Sequence, residues 1–400
     1  MVGMMTWIFW IACWTVVAHP GLQGPAPEDG TRTAAQRWAL VEELRISGET
    51  SRYLLSNIFE VEIGPRGEIY VGDESEARVL VFDSTGRLLR RIGGRGYGPG
   101  EFQRPAGMGW VGDTLWVTDA DQLRVSYFDA AGTHIETARI SGPAVPPGLP
   151  TAPDCFLADG SVAVELRVGS RQIAVTREIT ALPVLRMRRD GHVLDTLALL
   201  PLGYRVVHLP WRGGNLFSAH PVPMVPFWAA SPNGSFLVFV DLPVVRPGRS
   251  RVGTIRIVFR RPDGAIAHAV EYPFEPRDLP AEVTDSITGR LARALSNALP
   301  QHPPIAGLLD VMRRQVRFPP FRPPVTRLVV GRDSTVWLRR EDAGANRVTW
   351  DVLAWSGSAI GHFEAPPSLV IYQAERGRVW GILPDDDGVP QVIRYRVAVQ

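Results

Sequence analysis

Lysine does not occur in this 400-residue chain, so all 43 basic residues are arginines. Schiff-base and lysine-base mechanisms are therefore excluded. Cysteine is nearly missing as well: only Cys13 and Cys155 are present, and Cys13 falls in an apolar leader-like run. That argues against a structural disulfide, and no Cys-x-x-Cys metal or redox site can be built. An excess of one charge is also lacking, for the formal net charge is +2. Bulk attraction to nucleic acid or to an acidic membrane surface has no basis in such a balance. The G-x-S-x-G and H-E-x-x-H signatures and an Asp-rich calcium loop do not occur either. Long stretches free of helix breakers are scarce, because 39 Gly and 35 Pro punctuate a chain that is 45% hydrophobic and 21% charged. Many short strands and turns suit that composition better than long helices.

What the chain does contain is repetition. One phrase runs Arg66-Gly-Glu-Ile-Tyr-Val-Gly-Asp73, Ala77-Arg-Val-Leu-Val-Phe-Asp83 and Ser84-Thr-Gly86. Its second copy runs Gly112-Asp-Thr-Leu-Trp-Val-Thr-Asp119, Leu123-Arg-Val-Ser-Tyr-Phe-Asp129 and Ala130-Ala-Gly132. Ile69 and Leu115 stand 46 residues apart, as do Gly86 and Gly132, a period that marks propeller blades or solenoid units. Weaker copies of the second strand follow at Asp159-Gly-Ser-Val-Ala-Val164, Asn233-Gly-Ser-Phe-Leu-Val238, Asp333-Ser-Thr-Val-Trp-Leu338 and Arg376-Gly-Arg-Val-Trp-Gly381. Each joins a polar or glycine turn to a β-branched or aromatic run, as a strand entry should.

The sixth copy runs out of chain after Val397, with no sequence left for its outer strand. Residues 38–46 are the reverse case, an outer strand without inner partners. A ring resolves both, so the expected fold is all-β: a six-bladed β-propeller closed by an N-terminal outer strand, which removes exposed sheet edges. The expected organisation is a signal peptide or N-terminal anchor at 1–18, a linker at 19–35 and the propeller at 36–398, with insertions at about 203–226 and 273–324. Residues 203–226 read as an irregular loop between blades three and four. Residues 280–300 read as a short helical insertion between blades four and five, with Val283, Ile287, Leu291 and Leu295 on one face. The Pro- and Arg-rich residues 302–324 read as a plain connection. The uncharged run at 4–18 has signal-peptide length, so export is expected, to the periplasm, the cell envelope or the medium.

The junction Ile92-Gly-Gly-Arg-Gly-Tyr-Gly-Pro-Gly-Glu-Phe-Gln-Arg-Pro105, followed by Leu115-Trp-Val-Thr-Asp119 and Arg124-Val125, closely resembles NHL-repeat β-propellers across residues 57–140. The whole chain resembles bacterial exported proteins described as six-bladed β-propellers. Fold and export are what the resemblance implies; no established activity comes with it.

Asp73 with Arg78, and Asp119 with Arg124, recur at one spacing and read as hydrogen-bonded pairs fixing a blade turn. Tyr70, Trp116, Trp337 and Trp380 share one position in four copies and read as filling between sheets. The Gly-rich run 93–100 fits neither phosphate-loop spacing and reads as a turn between blades. His134 with Glu136, and His362 with Glu364, lie on outer strands and read as solvated edge pairs, so no metal and no cofactor are expected. The long loops are the expected binding region, with Tyr97, Arg104, His208, Trp211, Arg212, Phe227, Arg317 and Arg322 as candidate ligand contacts. Pro226-Phe-Trp228 belongs to the first of those loops. The expected function is a non-catalytic binding scaffold for a small anionic or carbohydrate-like ligand or for an envelope protein partner. Nucleic acid is not expected, and contact with a membrane only through an uncleaved N-terminal segment. The alternative is a propeller hydrolase or lyase of the lactonase or streptogramin-lyase kind, with acidic or imidazole groups converging at the channel mouth.

Overall fold

The computed structural model describes residues 35–48, 55–139, 153–166, 181–201, 206–211, 214–220, 222–246, 252–298, 304–341 and 347–400. The expected leader at residues 1–18 lies outside them. The described chain is a six-bladed β-propeller. Blade one is Ile58–Ile63, Ile69–Asp73, Arg78–Phe82 and Leu88–Gly93, paired in chain order. Blade two follows as Pro105–Val111, Thr114–Asp119, Arg124–Phe128 and His134–Ala138. Blade three is Cys155–Phe156, Val162–Glu165, Ala181–Met187 and Val193–Pro201. Blade four is Phe227–Ala230, Leu237–Val240, Val252–Arg260 and Ile266–Phe274, with Val244–Arg246 as an added short strand. Blade five is Arg327–Val330, Val336–Glu341, Val348–Leu353 and Ala359–Ala365.

Blade six takes only Val370–Glu375, Arg378–Pro384 and Pro390–Val399 from the end of the chain. Its outer strand is Gln36–Ile46, antiparallel to the last strand from Trp38 opposite Val399 to Ile46 opposite Val392. The register slips between Glu42 and Leu44, a bulge that leaves Glu43 free to meet three arginines of this blade. Arg378 Nε and Arg394 Nε lie 3.0 and 3.2 Å from Glu43 Oε2, and Arg396 Nε lies 3.9 Å from Oε1. The first two residues of the same strand also pair in parallel with blade five, Gln36 with Gly361 and Arg37 with His362. Blades five and six are thereby joined into one eight-stranded sheet.

The core is a set of wedges between neighbouring blades. Tyr70 is buried between blades one and two, Trp116 between two and three, Trp337 between five and six, and Trp380 between six and one. The large rings recur because the sheets diverge outward from the axis and the widening gap needs volume. Trp38 enters the wedge of blades five and six, where a Cβ on Gly361 would stand 2.2 Å from its ring. Each turn from third to outer strand in blades one to five carries a left-handed glycine, Gly86, Gly132, Gly191, Gly264 and Gly357, with φ of 84 to 89°. Blade six has no such turn, because its outer strand comes from the other end of the chain.

Two sequence expectations need correction. Residues 203–226 are not irregular throughout: Val206–Trp211 pairs antiparallel with Gly214–Ala219. The stretch 302–324 is more than a connection, since it holds a second helix. Helix α1, Ala281–Ala298, falls where the apolar periodicity places it. Helix α2, Ile305–Gln315, starts directly after Pro304 and buries Leu308 and Met312 one turn apart. Proline is tolerated at a helix start, where its missing N–H is not needed. Leu209 of the hairpin packs with Ala292, Leu308, Met312 and Val316, giving the two insertions a common small core.

Candidate functional site

Inner strands of a propeller line its axial channel, so their side chains decide what the channel can hold. In blade one, Glu60 and Glu62 lie two apart on Ile58–Ile63 and therefore project from one side of the strand. Blade two contributes Trp110, blade three Asp154 and Glu165, blade four Trp228, blade five Arg327, and blade six Tyr372 and Gln373. These residues enclose a cavity of about 360 Å³ to which all six blades contribute. An adjoining cavity of about 510 Å³ shares Glu62, Trp110, Phe156 and Pro232 with it and adds Arg332. Its other walls are the turns between first and second strands at one end of the ring, among them Pro65, Gly112, Gly160 and Asn233.

Within the channel, Gln373 Nε2 donates to Glu62 Oε1 at 2.8 Å. Trp228 Nε1 donates to Glu165 Oε2 at 2.9 Å, and the Glu165 backbone N–H donates to Asp154 Oδ2 at 2.6 Å. Arg327 Nε donates to the Ile371 carbonyl at 3.2 Å, and its guanidinium lies 5.2 Å from the centre of the Tyr372 ring. Arg332 donates to the Ile63 carbonyl at 2.8 Å. Burial pushes the Glu60 carboxyl up to about 8, against the pull of Arg327. Glu62 rises well above the ordinary carboxylate range through burial and then through repulsion from Glu60, with Arg332 and Gln373 acting the other way. Near neutral pH this side of the channel therefore holds protons that exposed carboxylates would have released. Burial likewise raises the Cys155 thiol, which leaves it a poor nucleophile. Among the described residues no group of three or more His, Cys, Asp or Glu side chains could hold a metal ion.

The residues singled out from sequence are not the ones gathered here. Tyr97 is 77% exposed on the Gly-rich turn, and Arg104 makes a surface ion pair with Asp121 at 2.7 Å. Phe227 packs against the wedge between blades four and five. Arg317 is exposed and its carbonyl lies 3.2 Å from His220 Nε2, while the Arg322 backbone N–H donates to the Arg277 carbonyl at 2.8 Å. His208 and Trp211 lie on the hairpin, opposite Phe217 and Gly214, and Arg212 lies outside the described residues. None of Tyr97, Arg104, Phe227, Arg317 and Arg322 lines either cavity. Trp228, named in sequence only as part of an insertion, is an inner-strand residue of blade four. Glu60 and Glu62 had a signal of their own: two acids of equal parity within an otherwise apolar inner strand.

The paired aspartates divide. Asp73 accepts from Arg78 Nε and an Arg78 terminal nitrogen at 3.3 and 3.2 Å, as the spacing predicts. The Asp119 carboxylate makes no bond to the Arg124 guanidinium. It accepts instead from the backbone of Gln103, Arg104, Asp121 and Gln122, and Arg124 donates to the carbonyls of Tyr97, Gly98 and Glu101. The two residues still face each other in the strand ladder, but their side chains turn to the Gly-rich connection between blades one and two and its flank, which both hold in place.

Fold and channel together define a six-bladed propeller whose buried ionisable groups face its axis. A family model described as 6-bladed beta-propeller, DUF5128, matches residues 46–142. Among solved structures, the chain is similar to an exported-protein candidate from Bacteroides fragilis NCTC 9343, at 13% identity over 92% of this chain and 98% of that one, with a TM-score of 0.48. It is also similar to a DUF4221 family member from Bacteroides vulgatus, at 11% identity over 91% and 99%, with a TM-score of 0.49. A virginiamycin B lyase from Staphylococcus aureus shares 10% identity over 91% of this chain and 100% of its own, with a TM-score of 0.42. No curated protein sequence matches the chain.

Proposed function

We propose that this protein is an exported, non-catalytic propeller that binds a small hydroxyl-bearing, carbohydrate-like ligand in its axial channel. The observation that carries the reading is the cavity of about 360 Å³ walled by all six blades, since ligand sites are concave, largely preformed and of about 300–1,000 Å³. Indole and phenol rings at Trp110, Trp116, Trp228 and Tyr372 offer flat apolar faces beside Gln373, Glu62 and Glu165, a mixture suited to a ring bearing hydroxyls. Of the two ligand chemistries expected from sequence, an anion is the less suited. Among the described residues lining the two cavities the cations are Arg327 and Arg332, and each already donates to a backbone carbonyl, that of Ile371 or Ile63. Export is supported by the uncharged apolar run at residues 4–18.

A catalytic reading has one specific observation in its favour. Glu60, still protonated near neutral pH, shares the channel with the carboxyls of Asp154 and Glu165, and a carboxyl kept protonated is what a hydrolase needs as its general acid. One experiment separates the two. The chain lacking residues 1–30 is screened for thermal stabilisation by mono- and oligosaccharides, and every stabilising sugar is recovered and weighed by mass spectrometry. Stabilisation that Trp228→Ala abolishes, with the sugar returned intact, is the expected result. A converted sugar would establish the catalytic reading instead, and stabilisation indifferent to Trp228→Ala would place the site elsewhere.

A further inference from the structure

Among the described residues, two buried hydrogen-bonding atoms of the channel lining lack partners, the donor Trp110 Nε1 and the acceptor Gln373 Oε1. The channel's side-chain acceptors include the carboxyls of Glu60, Glu62, Asp154 and Glu165 and the carbonyl of Gln373, a residue 5% exposed. That carbonyl, Oε1, has no partner, although the same amide is anchored through Nε2 to Glu62. A buried acceptor left in this state carries a desolvation penalty that a donor would relieve. The cations nearby do not supply one: Arg327 and Arg332 donate to the carbonyls of Ile371 and Ile63, and their charges act on Glu60 and Glu62 rather than on Gln373. Around these acceptors stand the rings of Trp110, Trp116, Trp228 and Tyr372, and aromatic faces attract cations.

We infer that the channel ligand carries a protonated amine, seated between the carboxyls of Glu60 and Glu62 and the unpartnered Oε1 of Gln373. This rests on the channel being the ligand site and adds the charge and the donor that the ligand must bring. An ammonium group has up to three N–H donors and one positive charge, which matches three clustered acceptors. A divalent metal fits less well, since it requires a fuller set of ligands at fixed distances than this cluster offers among the described residues.

The proton balance follows. Before binding, burial keeps Glu60 and Glu62 protonated. The ligand enters as the ammonium ion, the carboxyls ionise against it, and their protons pass to the buffer. The other titratable or charged groups around the two cavities are Arg327, Arg332, Tyr372, Asp154, Cys155 and Glu165. Affinity should therefore rise with pH between 6 and 8 for an alkyl amine, which stays charged there. An amino sugar, titrating at about the α-amino value of 7.7–8.0, loses charge within the interval, so the acyclic amine reads the pH dependence.

The test uses matched probes on the chain lacking residues 1–30: D-glucosamine, N-acetyl-D-glucosamine and D-glucose, with putrescine and 1,4-butanediol as an acyclic set. Calorimetry at pH 6 and pH 8, in buffers of differing ionisation enthalpy, reads affinity and proton release together. The expected result is an amine that binds at least about tenfold more tightly than its neutral counterparts, releases protons, and loses both properties in Glu62→Gln, the range for one charge-assisted hydrogen bond. Neutral probes binding as well as amines would overturn the amine inference and leave the channel site standing. Silence from every probe would overturn both.

Discussion

Asp73 and Asp119 occupy one place in two copies of one phrase and do different work, which marks how far a repeat can be read residue by residue. The shared type was visible in sequence, but the partner was not, because the glycine-rich turn that takes Arg124 away lies outside the repeated phrase. Burial is the other quantity hidden at this scale. Glu60 and Glu62 look like ordinary strand acids until six blades enclose them, and their acidity then follows. Because Glu60 keeps its proton up to about 8, whereas an unfolded glutamate releases it near 4.3, the folded state binds more protons throughout that interval. Stability contributed by this group is complete below the unfolded value, declines as pH rises, and levels off above the folded one. Glu62 acts in the same direction. Chemical denaturation at pH 5 and pH 8 should therefore show a smaller loss of stability for Glu60→Gln than for the natural chain; equal losses would refute the buried-acid account.

At the scale of elements, the blade strands were legible because each carries its own turn, and α1 because its apolar residues keep helical spacing. The hairpin Val206–Trp211 with Gly214–Ala219 and helix α2 were not. Proline, glycine and arginine dominate those stretches, and local propensity gives no hint of the partner that orders them. Order comes from packing on each other: Leu209 meets Leu308 and Met312, a contact between residues about a hundred positions apart. Removing Met312 leaves a hole in that small core, and Met→Ala truncations of buried residues cost about 2–5 kcal/mol. Since no blade residue is fully buried in the same cluster, the loss should stay local. Met312→Ala is expected to expose the insertions to limited proteolysis while the main melting transition moves little. A fall in that transition as large as the one caused by breaking the ring would mean the insertions brace the blades.

The whole molecule depends on closure, and closure was the part of the fold most fully legible: an outer strand at the start and a missing one at the end predict each other. What sequence could not supply was the extra reach of that strand, which pairs with blade five as well as blade six. Its hold comes mainly from the ladder and from Trp38. The three arginines around Glu43 are partly exposed, and such pairs contribute about 0–1 kcal/mol each, whereas truncating a buried tryptophan costs about 3–5 kcal/mol. Deleting residues 36–47 should lower the melting temperature and split or broaden the transition; unchanged cooperative melting would rule the strand out as the closing element. The ladder's layout also sets how the molecule answers to traction. With Trp38 opposite Val399, the two ends of the propeller chain emerge at the same rung. A pull between them would part the rungs one after another from that end, so the seam that resists swelling of the ring yields to peeling at its rim.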